Sequence, residues 1–249
     1  MTARLTVEYD GTDFSGWALQ PGKRTIQGEL ESALAVVLRR PVALTVAGRT
    51  DGGVHAWAQI ASHEGDAAAL DGVNALLPPD VAVVASENVA DGFDARRECT
   101  SRAYCYRVLA RSARPALDRG RALHWTYALD LQTLQECAAL VVGVHDFTAF
   151  TPTETYHVRF DREIYAAYWR EREAGLFEFW IEADSFMRHM NRALAGTMLA
   201  VARGRLTVTQ FARLLDGAPR AEAGPTAPAH GLYFAGAGYR GERLLSPRG

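Results

Sequence analysis

Two β-prone runs, residues 42–47 and 57–63, are joined by a loop with three glycines in six residues, Gly48-Arg49-Thr50-Asp51-Gly52-Gly53. Glycine has no Cβ, so such a loop can bring its backbone close to a ligand while the flanking strands anchor it. The run types on either side continue the pattern. Residues 3–9 (ARLTVEY) alternate and read as a strand. Thr25 is placed as an N-cap, followed by Ile26, Leu30, Leu34 and Val37/Leu38 at helical spacing up to Arg39. Residues 66–77 read as a helix stopped by Pro78-Pro79, and residues 81–89 and 101–110 as strands.

Periodicity is lost around residues 111–121. This stretch, extended to about residue 128, reads as the connection between an N-terminal lobe, 1–110, and a C-terminal lobe, 111–249. In the second half Asp130 caps a helix reaching Val142. Residues 163–172 and 176–183 form a hairpin turning at Ala174-Gly175. Met187, Met190, Leu194, Met198 and Val201 mark a helix closed by Gly204. Residues 208–215 form another helix, and 232–239 a last strand. Strands with helices on one side in both halves imply an α+β protein with a largely antiparallel sheet.

Hydrophobic residues make up 48% and charged residues 22% of the chain, which is ordinary for a globular protein. No apolar run approaches the ~20 residues of a bilayer span. The first ten residues carry Arg4 and Glu8 and do not resemble a signal peptide. The expected location is cytoplasmic, with no membrane partner. Cys99, Cys105 and Cys137 are odd in number and lack metal-ligand spacing, so neither a disulfide framework nor a zinc site is expected. Net charge is only -2. Its distribution is uneven: residues 96–121 hold eight arginines (Arg96, Arg97, Arg102, Arg107, Arg111, Arg114, Arg119, Arg121) against Glu98 and Asp118. Such an excess attracts phosphate, although on its own it is equally a solvated face.

An aspartate following a strand among glycines is ordinarily a turn residue. Asp51 has Arg49 two residues before it and His55 four after it. A neighbouring cation favours the charged form of a carboxylate, the form needed in a nucleophile or base. This chemistry alone names no reaction. No local Ser/His/Asp or Cys/His pattern is present, and His55 and His63 have no suitably spaced partners for a metal.

The run Ala47-Gly48-Arg49-Thr50-Asp51-Gly52-Gly53-Val54-His55-Ala56 closely resembles the signature of the tRNA pseudouridine synthase A family, whose usual form has alanine in place of Gly52. Further matches follow in the same order: Glu8-Tyr9-Asp10-Gly11-Thr12 with Gly16-Trp17, Thr25-Ile26-Gln27-Gly28, and Phe93-Asp94-Ala95-Arg96. Then come Arg102-Ala103-Tyr104-Cys105-Tyr106, His145-Asp146-Phe147-Thr148-Ala149-Phe150, residues 186–192 (FMRHMNR), and Gly231-Leu232-Tyr233-Phe234. Leu19 stands where a basic residue is common, and Arg188 and Asn191 replace the usual histidine and apolar residue.

The resemblance implies the two-lobed pseudouridine synthase fold, with a mixed, mainly antiparallel sheet, flanking helices and the active-site cleft between the lobes. It implies isomerisation of uridine in the tRNA anticodon stem-loop, positions 38 to 40, with no cofactor, no metal and no DNA partner, by a homodimer. Asp51 matches the catalytic aspartate. Among the substrate-binding residues, Arg192 matches the carboxylate's partner arginine and Tyr104 the tyrosine that stacks on the target base, offsetting part of its unstacking cost. Arg49 resembles the arginine that helps hold the displaced nucleotide, and Leu232 holds the uracil from the other side. Arg96 and Arg102 are candidates for RNA-backbone contact or for local structure. Two other classes fit parts of this pattern: a non-catalytic RNA-binding module and a glycosylase releasing free uracil.

Overall fold

Alternation in the first nine residues sets the first strand. In β1 (Thr2–Tyr9), Ala3, Leu5, Val7 and Tyr9 are buried at period two. The computed structural model describes residues 1–155 and 157–246. They form two compact units: Met1–Arg102 with Tyr233–Glu242, and Ala103–Leu232 with the described residues from Arg243 on.

In the first unit α1 (Ile26–Leu38) follows β1. Thr25 Oγ1 caps it by accepting from Gly28 N at 3.3 Å. Ile26, Leu30, Ala33 and Leu34 form its buried stripe. The strand expected over residues 42–47 is cut to β2 (Thr45–Val46), because Leu44 N donates to Glu31 Oε1 at 2.8 Å instead of joining a ladder. β3 (His55–Glu64) runs antiparallel to β1 and β2. The helix expected over residues 66–77 shrinks to α2 (Leu70–Asn74). Its intended first turn is held by side chains from farther along: Ala67 N donates to Asn88 Oδ1 and Ala68 N to Ser86 Oγ, at 2.7 and 3.1 Å. β4 (Val81–Val89) lies antiparallel to β1 on the side away from β3.

β5 (Cys99–Ala110) begins in the first unit and ends in the second. There β6 (Leu123–Trp125) pairs with it in parallel. α3 (Leu131–Leu140) is capped by Asp130, which accepts from Gln132 N and Thr133 N. β7 (Gly143–Asp146), β8 (Asp161–Glu173) and β9 (Leu176–Ala183) are antiparallel, giving the order β5-β9-β8-β7. The hairpin turns at Gly175, whose φ of +80° suits glycine. α4 (Met190–Ala202) packs beneath: Trp169 stacks on Phe179 at 5.2 Å and its Nε1 reaches Met198 Sδ. α5 (Val208–Arg213) carries a capping box at Thr207 and Gln210. β10 (Leu232–Tyr239) returns to the first unit and lies parallel to β3, with Tyr233 opposite His55. The α+β class and the mainly antiparallel mixed sheet are those expected.

α4 is apolar nearly all round, and from Met190 to Val201 only Arg192 is not buried. The segment 224–227 is threaded against its backbone. Ala227 N donates to Arg192 O (3.0 Å) and Gly224 N to Thr197 Oγ1 (3.1 Å). A Cβ on Gly196 would stand 1.9 Å from Pro225 O. An alanine in a helix interior is ordinarily better than glycine by about 1 kcal/mol. Here the clash is with backbone and wins. Gly196→Ala should therefore lower stability by roughly 1–3 kcal/mol, read as a reduced urea midpoint at unchanged m-value.

Candidate active site

The Asp51 loop lies in the first unit, between β2 and β3. Its backbone is tied on both sides of the exposed Arg49. Gln59 Nε2, fully buried on β3, donates to Gly48 O at 2.7 Å. Trp17 N donates to Thr50 O at 3.0 Å. Tyr9 OH and Thr50 Oγ1 share a hydrogen bond of 2.7 Å, and Gln59 Nε2 also reaches Tyr9 OH at 3.4 Å. Val54 N then closes the turn on Asp51 O at 3.2 Å. Asp51 itself is half-buried. The preceding loop comes this close because two glycines permit it. A Cβ on Gly11 would meet Val54 O at 2.0 Å; one on Gly16, whose φ is +96°, would meet Thr50 O at 2.8 Å.

Burial pushes the Tyr9 hydroxyl up to about 12, against the lowering effect of its bonds to Thr50 and Gln59. Tyr9 thus stays neutral near pH 7 and the bond persists. Sequence reasoning missed Tyr9 and Gln59 as supports of the loop. The available signal was a glutamine at an interior position of β3, where a buried amide needs partners.

Of the other candidates, Arg49, Arg96 and Arg102 also belong to the first unit; Tyr104, Arg192 and Leu232 belong to the second. Tyr104 is buried on β5 and meets Phe186 edge-on at 5.1 Å. Arg192, in the first turn of α4, donates through Nε to Ala227 O at 2.7 Å. Tyr106, on the same strand as Tyr104, donates to Pro228 O at 2.9 Å. Burial pushes its hydroxyl well up, and the nearby Arg192 guanidinium opposes that shift. Leu232 is buried at the start of β10. Gly231 before it leaves room for the Tyr106 ring, which a Cβ would approach to 2.7 Å.

Arg102 serves local structure. Its Nε donates to Ala47 O at 2.9 Å, just before the loop, and its other nitrogens to Cys99 O and Arg96 O. Arg96 is exposed, with its backbone N bonded to Asp94 Oδ1. Of the eight arginines in this stretch, Arg102 and Arg107 are partly buried and the other six are exposed. Among the described residues no group of three His, Cys, Asp or Glu side chains is arranged to hold a metal ion, and no helix is long and apolar enough to cross a membrane.

A family model described as tRNA pseudouridine synthase matches residues 137–240. The chain is 41% identical to a tRNA pseudouridine synthase A of Thermus thermophilus, over 96% of this chain and 97% of that protein. It is 37% identical to one of Bacillus pumilus, over 94% and 97%, and 39% identical to one of Chromobacterium violaceum, over 100% and 97%. The chain belongs to the tRNA pseudouridine synthase A family. It is accordingly an isomerase, and the glycine-rich loop can be weighed as part of an active site.

Tyr9→Phe tests the loop's support. It leaves Thr50 Oγ1 short of a partner, at a cost of about 1–3 kcal/mol in urea unfolding. There is also a pH signature. A folded value near 12 exceeds the unfolded value near 10. The neutral hydroxyl therefore contributes fully below pH 10, and that contribution is lost as pH rises from 10 to 12. Stability of Tyr9→Phe should fall less steeply across that window than stability of the wild type.

Proposed function

We propose that the enzyme converts uridine to pseudouridine in the anticodon stem-loop of tRNA, at positions 38 to 40, with Asp51 as the essential carboxylate. The reaction breaks the N1–C1′ glycosidic bond, turns the uracil and joins C5 to C1′. The proton lost from C5 is matched by one gained at N1, so no atom is gained or lost. A carboxylate can assist by attack at C1′, by attack at C6 or by removing the C2′ proton. Each route needs the group held at a fixed position. The observation that carries the assignment is the loop itself: both peptide carbonyls flanking Arg49 are bonded, so the backbone leading into Asp51 is set in advance.

In this reading Tyr104 is the platform for the extracted base, Leu232 bears on its other face, and Arg192 is the cation serving the carboxylate. Arg49 holds the displaced nucleotide. Arg96, exposed, contacts the RNA backbone. The enzyme works in the cytoplasm as a homodimer, so that one tRNA lies across two chains and meets the exposed arginines of both.

Asp51→Asn should abolish pseudouridine formation in bulk tRNA, by at least roughly 10²–10⁴-fold, while tRNA still binds. Retained activity would refute the role of Asp51; free uracil among the wild-type products would make the protein a glycosylase. Phosphate contact by six exposed arginines predicts a steep salt dependence. Affinity for tRNA should fall by about 10³-fold between 50 and 200 mM salt, measured by filter binding. A flat response would remove the arginine-rich stretch from the interface.

A further inference from the structure

We propose that a pocket beside the first turn of α4 is a phosphate subsite, taking an RNA backbone phosphate next to the target uridine. This rests on the tRNA-modifying activity proposed above. The pocket encloses about 410 Å³ within the second unit, and Arg188, His189, Arg220, Thr226 and Glu154 help to line it. It carries two guanidiniums against one exposed carboxylate.

Arg220 is the central observation. It is half-buried, yet among the described residues its guanidinium donates only to neutral acceptors: Gly224 O at 2.9 Å, Ala223 O at 3.4 Å and Thr226 Oγ1 at 2.9 Å. Burial pulls its pKa down, and no carboxylate among the described residues acts against that shift. A desolvated cation without a counter-charge is costly. Elsewhere in the same unit a buried charge is compensated: Glu178, fully buried, accepts from Arg170 at 2.8 Å, Arg172 at 3.3 Å and Trp180 at 3.0 Å. At Arg220 the neutral contacts orient the fork and leave its charge to be met by a bound anion.

Arg188 is exposed at the same pocket. His189, which follows it, has a φ of +61°. That left-handed conformation is unfavourable outside glycine and is often found where function constrains a backbone. Within the second unit the pocket also adjoins Arg192. Arg220 grips Thr226 and Arg192 grips Ala227, so consecutive residues are held by the two cations. An anion at Arg188 and Arg220 would therefore sit beside Arg192, where the phosphate flanking an extracted uridine is expected.

Arg188→Gln tests this without disturbing a buried contact. Its tRNA affinity should weaken by about fivefold or more near 0.1 M salt, and the slope of log K against log salt should become shallower by about 0.7–0.9, one phosphate's share. The loss should fall in KM rather than kcat. Inorganic phosphate should compete with tRNA less effectively for the variant than for the wild type. Arg220→Gln, checked by its melting temperature, should show the same changes. If the wild type makes pseudouridine and both variants match it in KM, salt slope and phosphate competition, the subsite is overturned alone. If the wild type makes none, the activity and the subsite fall together.

Discussion

The hydrogen bonds from Gln59 and Tyr9 to the segment 48–50 hold together two requirements that otherwise conflict. A loop with glycines at 48, 52 and 53 can approach a nucleotide closely, but glycine also gives it many alternative conformations to lose. Each of these bonds is worth only about 1 kcal/mol net, yet leaving a buried partner unsatisfied costs more. The ordered loop is therefore coupled to the burial of Tyr9 and Gln59. That burial follows from where the strands lie: Tyr9 ends β1, Gln59 lies inside β3, and the two strands are antiparallel neighbours. The position of Asp51 thus depends on sheet register as well as on the loop's own sequence, which supplies Thr50.

The second unit meets a similar conflict on α4. A helix buried along nearly its whole length has no room for charge, yet it carries Arg192 in its first turn. The guanidinium is accommodated by the carbonyl of Ala227, and the chain around Ala227 can lie so close only because neither Gly196 on the helix nor Gly224 on the facing segment carries a Cβ. Packing, the two glycines and the arginine are one arrangement. A change at Gly196, well along the helix, reaches Arg192 through the 224–227 segment.

Much of this was legible from pattern. β1 alternates at period two and the apolar positions of α1 recur at helical spacing, while β4, β8, β9 and β10 are long β-prone runs, so local sequence determines their type. What escaped depended on partners distant in the chain. β6 has three residues and β7 four, too few to show a period. α2 was shortened by Ser86 and Asn88, side chains of another strand. The parallel pairing of β10 with β3 leaves no mark in either segment. At the site, Asp51 was singled out by its resemblance, whereas from its own chemistry it was a turn residue. Tyr9 and Gln59 read as ordinary strand residues, and Arg102 reads equally as a phosphate contact or a structural residue, whereas in the fold its nitrogens donate to the carbonyls of Ala47, Cys99 and Arg96.

Arginine explains why a net charge of -2 is a poor guide to what this protein binds. The total counts every guanidinium alike, but their surroundings divide them. Arg24 is paired with Asp80, and Arg170 and Arg172 compensate the buried Glu178. Arg102 stitches backbone together, and Arg111 bonds the carbonyls of its own turn. Pairs like the first three have little field left for an approaching polyanion. Exposed arginines such as Arg96, Arg97, Arg114 and Arg119 retain theirs. At 0.1 M ionic strength the screening length is about 10 Å, so acids elsewhere on the surface cannot cancel that local field. The charge an RNA meets is set by which arginines the fold has left uncompensated, and the fold has concentrated many of them in one stretch of chain.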